Sequence, residues 1–177
     1  MSTREATDAR DAMSARDAIL AAISSAGVPY APPAAPVVRT SSPEHLSLHF
    51  QRVLRDVGGT AEVTNGAPID AMLTATFGAA RDAVVVVVGR FAVAENGAVY
   101  VDAADLRART DVVSAEQLVI VVSASSIVET MHEVMPLVPR GSSCGWFLSG
   151  PSKTADIEQS LVIGAQGSKT LHVFLTR

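Results

Sequence analysis

Six residues, Ala83 to Val88, restrict the fold more than any other stretch, because one alanine is followed by five valines in succession. β-branched side chains suit an extended backbone and crowd a helix. An apolar run with no polar alternation is the pattern of a strand covered on both faces, as in a parallel sheet between helical layers. The run is therefore expected at the centre of such a sheet.

Further strands are expected at Thr60 to Thr64, Gln117 to Ser123, which is rich in Val and Ile, Gly145 to Ser149 and Thr170 to Leu175. Between them lie stretches of helical period. One runs from His45 to Val57 and is closed by Gly58-Gly59; a second runs from Pro68 to about Ala80, with Ile69, Met72, Leu73 and Phe77 inward. A third covers Ser126 to Val138, and a fourth starts at Thr154 with Ile157, Leu161 and Ala165 four residues apart. The alternation predicts an α/β class: three α/β/α layers around a mostly parallel sheet. One antiparallel hairpin is expected, since two apolar runs flank Asn96-Gly97. A two-residue turn there would set Glu95 opposite Ala98, Val93 opposite Tyr100 and Phe91 opposite Asp102.

Residues 6 to 26 form a weakly amphipathic helix, and Pro29, Pro32, Pro33, Pro36 and Pro43 then exclude both helix and central strand. The expected organisation is a separate N-terminal helix over 1–28, a proline-rich linker over 29–43, and a single α/β domain over 44–177. A chain of 177 residues with 48% hydrophobic content can bury one sizeable core of this kind.

A formal net charge of -4 offers no bulk basic surface, so nucleic acid and anionic lipid are not expected partners. No apolar run reaches membrane-span length, and the charged N-terminal residues lack a secretory core, so a cytoplasmic protein is expected. Cys144 is the only cysteine, which rules out an intrachain disulfide and leaves too few thiolates for an iron–sulfur cluster. His45 and His49 stand one helical turn apart without a third ligand, and no metal site is expected.

The apolar run Trp146-Phe147-Leu148 ends at Gly150-Pro151, and Ser152, Lys153 and Thr154 follow. If a helix starts here, its free N–H groups and the lysine could receive an anion at what reads as the carboxyl end of a strand. The hydroxyls could equally be caps. The stretch is not a Walker loop, because no glycine directly precedes Lys153.

Ser149-Gly150-Pro151-Ser152-Lys153-Thr154-Ala155-Asp156-Ile157-Glu158, followed by Leu161-Val162, Gly167 and Leu171-His172-Val173, resembles the C-terminal signature of the LUD domain, the lactate utilisation protein C family. The resemblance implies a fold similar to the NagB/RpiA/CoA-transferase group. It also implies a cytoplasmic role beside iron–sulfur subunits that oxidise L-lactate to pyruvate, with the clusters carried by those partners and no cofactor in this chain. Ala94-Glu95-Asn96-Gly97 resembles the family's Glu-Thr-Gly element and the Glu-Asn-Gly element that holds the nucleophilic glutamate of one class of CoA-transferases. On that likeness Glu95 is the candidate catalytic residue. Asn96, Gly97, Gly150, Ser152, Lys153 and Thr154 are the candidate ligand-binding residues, for a small carboxylate, a phosphate or CoA. The chain departs from the family pattern at Gln166 and Ser168, which stand in the segment where the family has Gly-x-His-Gly-Pro, and at Gln117, which replaces a second expected histidine, and a strand and helix are missing before Val84. The reading that results is an accessory component of a lactate-oxidising system that binds a small anion. The alternatives are a CoA-transferase-like enzyme with Glu95 as nucleophile, and a non-catalytic scaffold that docks through its N-terminal helix. Self-association is left open.

Overall fold

The structure is a computed structural model, and it describes residues 14–27, 41–141, 144–154 and 162–177. The chain divides into two units, residues 1–37 and 38–177. The first contains α1 (Ala15–Ser25), whose N-cap Ser14 accepts a hydrogen bond from Asp17 N–H. None of its residues is buried, and Ile19, Leu20 and Ile23 are exposed. The expected helix begins earlier, and its part before Ser14, like the linker prolines 29 to 36, lies outside the described residues.

In the second unit the order is α2 (Pro43–Asp56), β1 (Thr60–Val63), α3 (Ile69–Phe77), β2 (Val84–Val88), β3 (Phe91–Val93), β4 (Ala98–Asp102), α4 (Asp111–Ser114), β5 (Gln117–Ser123), β6 (Ile127–Val128), α5 (Met131–Val134), β7 (Gly145–Leu148), β8 (Lys153–Thr154), β9 (Val162–Ile163) and β10 (Thr170–Thr176). Pro43 is not linker, as the prolines upstream suggest, but the first residue of α2. There its missing N–H costs nothing, and Ser42 caps by accepting from His45 N–H.

The central sheet is parallel and runs β1-β10-β5-β2. Alternate residues of β5 and β10 serve its two faces. Leu118, Ile120, Val122, Leu171, Val173 and Leu175 meet Phe50 and Leu54 of α2 on one face. Val119 and Phe174 meet Leu73, Met72 and Phe77 of α3 on the other. The fold is thus α/β with helices on both sides of a parallel sheet.

Four expectations are corrected. The valine run is an edge strand of the described sheet, not its centre: among the described residues β2 pairs only with β5, and α3 covers Val84 but leaves Val86 at 42% and Val88 at 57% exposure. The hairpin lies in a second, mixed sheet, β6-β3-β4-β7. Its last pair is Val93↔Ala98, so the loop has four residues, Ala94 to Gly97, and Phe91 faces Tyr100. Gly97 N–H reaches Val93 C=O and Asn96 Oδ1 accepts from Ala98 N–H, and this local bonding shifts the register by two from the one a two-residue turn would give. The expected helix over 126–138 is interrupted: β-branched Ile127-Val128 pairs with Ala92-Val93, and only after Thr130 does a short helix begin. Finally, no helix starts at Thr154. Lys153 and Thr154 pair with Ile163 and Val162 in a two-stranded ribbon, and Ala165 falls in a bend. Residues 155–161 lie outside the described residues.

Candidate functional site

The parallel sheet has a carboxyl edge, where ligands of layered α/β proteins gather, above all where neighbouring connections leave toward opposite faces. Here the chain leaves β1 toward α3 on one face and leaves β5 toward Ile127 on the other, with the end of β10 between them. A groove of about 580 Å³ opens at that point. It is lined by Val63, Ala124, Ser125 and Arg177 beyond the strand ends and by Pro43, Glu44, Ser47, Leu48 and Gln51 of α2. Its volume falls within the range of small-molecule sites.

The polar groups of the groove are partly positioned. Ser47 is buried, and Gln51, one turn on, donates its amide to Ser47 C=O at 3.2 Å. Ser125 shares a 2.7 Å hydrogen bond with Ser123 at the end of β5. Arg177 makes no ion pair among the described residues. A guanidinium beside hydroxyl and amide donors suits a carboxylate, and Glu44 can accept from a ligand hydroxyl. Sequence reasoning missed these residues. The available signal was positional: Ser125 and Arg177 each stand two residues beyond a predicted strand, and Ser47 and Gln51 share a helix face at i, i+4.

The residues expected to form the site are gathered elsewhere. α2 runs antiparallel to the strands, so its C-terminal end lies at the amino edge of the sheet, where Gly59 N–H bonds Leu54 C=O just before β1. Gly97 and Gly150 both press on this end. A Cβ on Gly97 would stand 2.9 Å from Leu54 Cα and one on Gly150 would stand 2.7 Å from Val57 O, and both glycines have positive φ, so no other residue fits. Ser149 hydroxyl donates to Asn96 C=O at 2.7 Å, which ties the hairpin tip to the segment after β7. Lys153 ammonium donates to Val57 C=O, the cap of α2, where a cation complements the helix C-terminus.

Ser152 is bonded on three sides. Its N–H donates to Ser168 C=O, its carbonyl accepts from Gly164 N–H, and its hydroxyl accepts from Gln166 N–H at 3.3 Å. The Ser152 N–H, one amide of the expected anion-binding turn, is therefore engaged within the chain. β7 belongs to the mixed sheet, so its carboxyl end is not the carboxyl edge of the parallel one. Along α2, this cluster stands about 15 Å from Ser47, ten residues at 1.5 Å rise.

Glu95 is exposed rather than sheltered by Phe91, Val93 and Tyr100. One carboxylate oxygen accepts the Met131 N–H at 2.9 Å, and its own N–H bonds Glu129 C=O, so Glu95 holds the start of α5 against the hairpin tip. Thr154 pairs with Val162, and Gln117 heads β5 at the amino edge, between Val84 and Thr170. The structure thus brings Asn96, Gly97, Gly150 and Lys153 around one helix end, joins Ser152 to Gln166 and Ser168, and leaves the carboxyl-edge groove free of all of them. Among the described residues no group of three or more His, Cys, Asp or Glu could hold a metal ion. None of the described helices is long and apolar enough to cross a membrane.

Comparison with known proteins agrees with this architecture. The crystal structure of a DUF162 family protein from Deinococcus radiodurans is similar to this chain, with a TM-score of 0.58, 17% identity, and coverage of 78% of this chain and 100% of that one. A search among curated proteins finds no match. The family model of the LUD domain matches residues 77–176, from the end of α3 through β10, and so takes in the hairpin, β5 and all of the segment from Ser149 to Thr154. Since that span is more than half of the chain, this protein belongs to the LUD domain family.

Proposed function

We propose that this LUD-domain chain is an accessory component of an iron–sulfur system that oxidises L-lactate to pyruvate, and that it binds a small carboxylate in the carboxyl-edge groove. Family membership supports the setting. The observation that carries the ligand is Arg177, which lines the groove beside Ser47, Ser125 and Gln51 without an ion-pair partner among the described residues. A 2-hydroxy or 2-oxo acid matches that set. The guanidinium takes the carboxylate in a forked pair, and Glu44, the hydroxyls and the amide meet the second oxygen function. Electron transfer belongs to the partner subunits in this reading, because a cluster needs several thiolates and this chain has only Cys144.

Titration calorimetry of the full chain with L-lactate and with pyruvate tests the ligand. Binding of either is expected, and Arg177→Gln should weaken it about tenfold or more, the loss of a charge-assisted pair. Absence of binding, or affinity equal in the variant, sinks the assignment. Isolation from a native extract tests the setting: cysteine-rich redox subunits should accompany the chain, and a chain recovered alone speaks against it. The cluster around Glu95 and Lys153 comes second as a phosphate or CoA site, since its polar groups already hold α2, α5 and the hairpin tip together. A mass gain equal to CoA after incubation with a short acyl-CoA, lost in Glu95→Gln, would put the transferase reading in first place.

A further inference from the structure

We propose that the short turn after Thr130 carries a binding site for a soft monovalent metal ion, Cu(I) or its close analogue Ag(I), held by Met131, His132 and Met135. These three residues and Pro136 line one depression of about 270 Å³. α5 spans Met131–Val134, and Met135 continues it at φ -56° and ψ -40°, with its N–H bonded to Met131 C=O. At 3.6 residues per turn the three donors fall within an arc of about 100° on one face, with Met131 and Met135 at i, i+4 and His132 and Met135 at i, i+3. Val134, which is fully buried, fastens another side of the turn to the core. Met135 is 55% exposed, and His132, also exposed, makes no hydrogen bond or ion pair among the described residues. Both are open to a ligand.

The donor set chooses the ion. Thioethers are soft, polarisable ligands, and together with an imidazole they select Cu(I) over hard cations, which take oxygen ligands. Structural zinc takes four donors drawn mainly from Cys and His, and no group of three or more His, Cys, Asp or Glu stands together among the described residues. The turn is held in shape by the chain itself. Thr130 hydroxyl accepts the Glu133 N–H, and one Glu95 carboxylate oxygen accepts the Met131 N–H at 2.9 Å. That carboxylate, with the Glu133 carboxylate on the Glu129 N–H, sets negative charge beside the donors and favours a cation. An organic ligand fits less well, because the depression is smaller than the roughly 300 Å³ at which small-molecule pockets begin and offers the imidazole as its one polar side chain. A single ion needs only a fraction of that space.

Competition for Cu(I) between the full chain and the chromogenic chelator bicinchoninate, under anaerobic conditions with ascorbate, tests the proposal. The chain is expected to withdraw one Cu(I) from the chelator. Met131→Leu combined with Met135→Leu keeps the side-chain volume but removes both sulfurs, and should weaken binding about tenfold or more, as should His132→Gln. Cys144→Ser removes the only thiol of the chain and should leave the affinity unchanged. Circular dichroism and melting temperature of each variant should match the parent. If the double variant does not fold, Met135→Leu alone, at the exposed position, serves instead. No withdrawal of Cu(I) from the chelator, equal affinity in the methionine variants, or loss of binding in Cys144→Ser would each overturn the proposal.

Discussion

β2 and β5 lie side by side in the same sheet, both built from valine and isoleucine, yet they are buried very differently. In β5, Leu118, Val119, Ile120 and Val122 are at most 1% exposed, while the purely aliphatic β2 leaves Val86 and Val88 open to water. The difference comes from the neighbours. β5 has a strand on each flank, β10 and β2, and its two faces meet α2 and α3 through the two core clusters. Among the described residues β2 has one strand neighbour, and although α3 packs on Val84 and α4 touches the strand, Val86 and Val88 stay exposed. Side-chain type therefore sets whether a segment is extended, and the elements packed around it set whether it is central.

The comparison can be broken most forcefully at the centre. Phe174 on β10 is fully buried between Leu73 and Val119, so Phe174→Ala should lower the unfolding free energy by about 4 kcal/mol through lost transfer energy and a cavity. Urea denaturation would show this as a lower midpoint with an unchanged slope. A loss below about 1 kcal/mol would mean that this face collapses freely and is not packed as described. A matched pair sharpens the contrast. Val122→Ala on β5, at 1% exposure, should cost about 2 kcal/mol, whereas Val88→Ala on β2, at 57%, should stay within about 0.5 kcal/mol. Equal losses would place the two valines in equivalent surroundings, contrary to the structure.

The same contrast shows how much of the molecule was legible in the sequence. Strands from Gln117 and Thr170 and the helices expected from His45 and from Pro68 follow from local pattern, since the spacing of their apolar residues agrees with the structure, while their ends differ by a few residues. What could not be read was anything that depends on a distant partner. Val84 to Val88 reads as central because nothing within it reveals that β2 pairs with β5 alone among the described strands and that Val86 and Val88 stay exposed. Lys153 and Thr154 read as a helix start because Val162 and Ile163, their strand partners, lie beyond a stretch of helical period. The site follows the same rule. Glu95 and Lys153 stand in a motif and are conspicuous in the sequence, but each is bonded to backbone at a helix end. The groove is assembled from the ends of three strands and one face of α2, so no contiguous motif announces it.

The smallest expected effect concerns the polar residue that the centre tolerates. His172 sits in β10 next to Phe174, with its ring edge-on to Phe77 and Phe174 and its Nδ1 2.6 Å from Thr60 Oγ1. Its Nε2 is buried and lies 3.5 Å from Glu62 Oε1 without hydrogen-bond geometry. Burial holds the imidazole below its ordinary pKa of 6.5, and the Glu62 carboxylate offsets only part of that shift. The folded protein thus keeps the ring neutral at a pH where the unfolded chain would protonate it. Its contribution to stability is complete above about pH 6.5 and declines as the pH falls through that value toward the lower folded-state pKa. Unfolding midpoints measured across that range should drop on acidification in the parent and drop less in His172→Gln. Val86 is 42% exposed, so a histidine placed there by Val86→His keeps much of its hydration and should change the pH profile far less than His172 does. If the two histidines behaved alike, the difference in burial between the centre and the edge of this sheet would be lost.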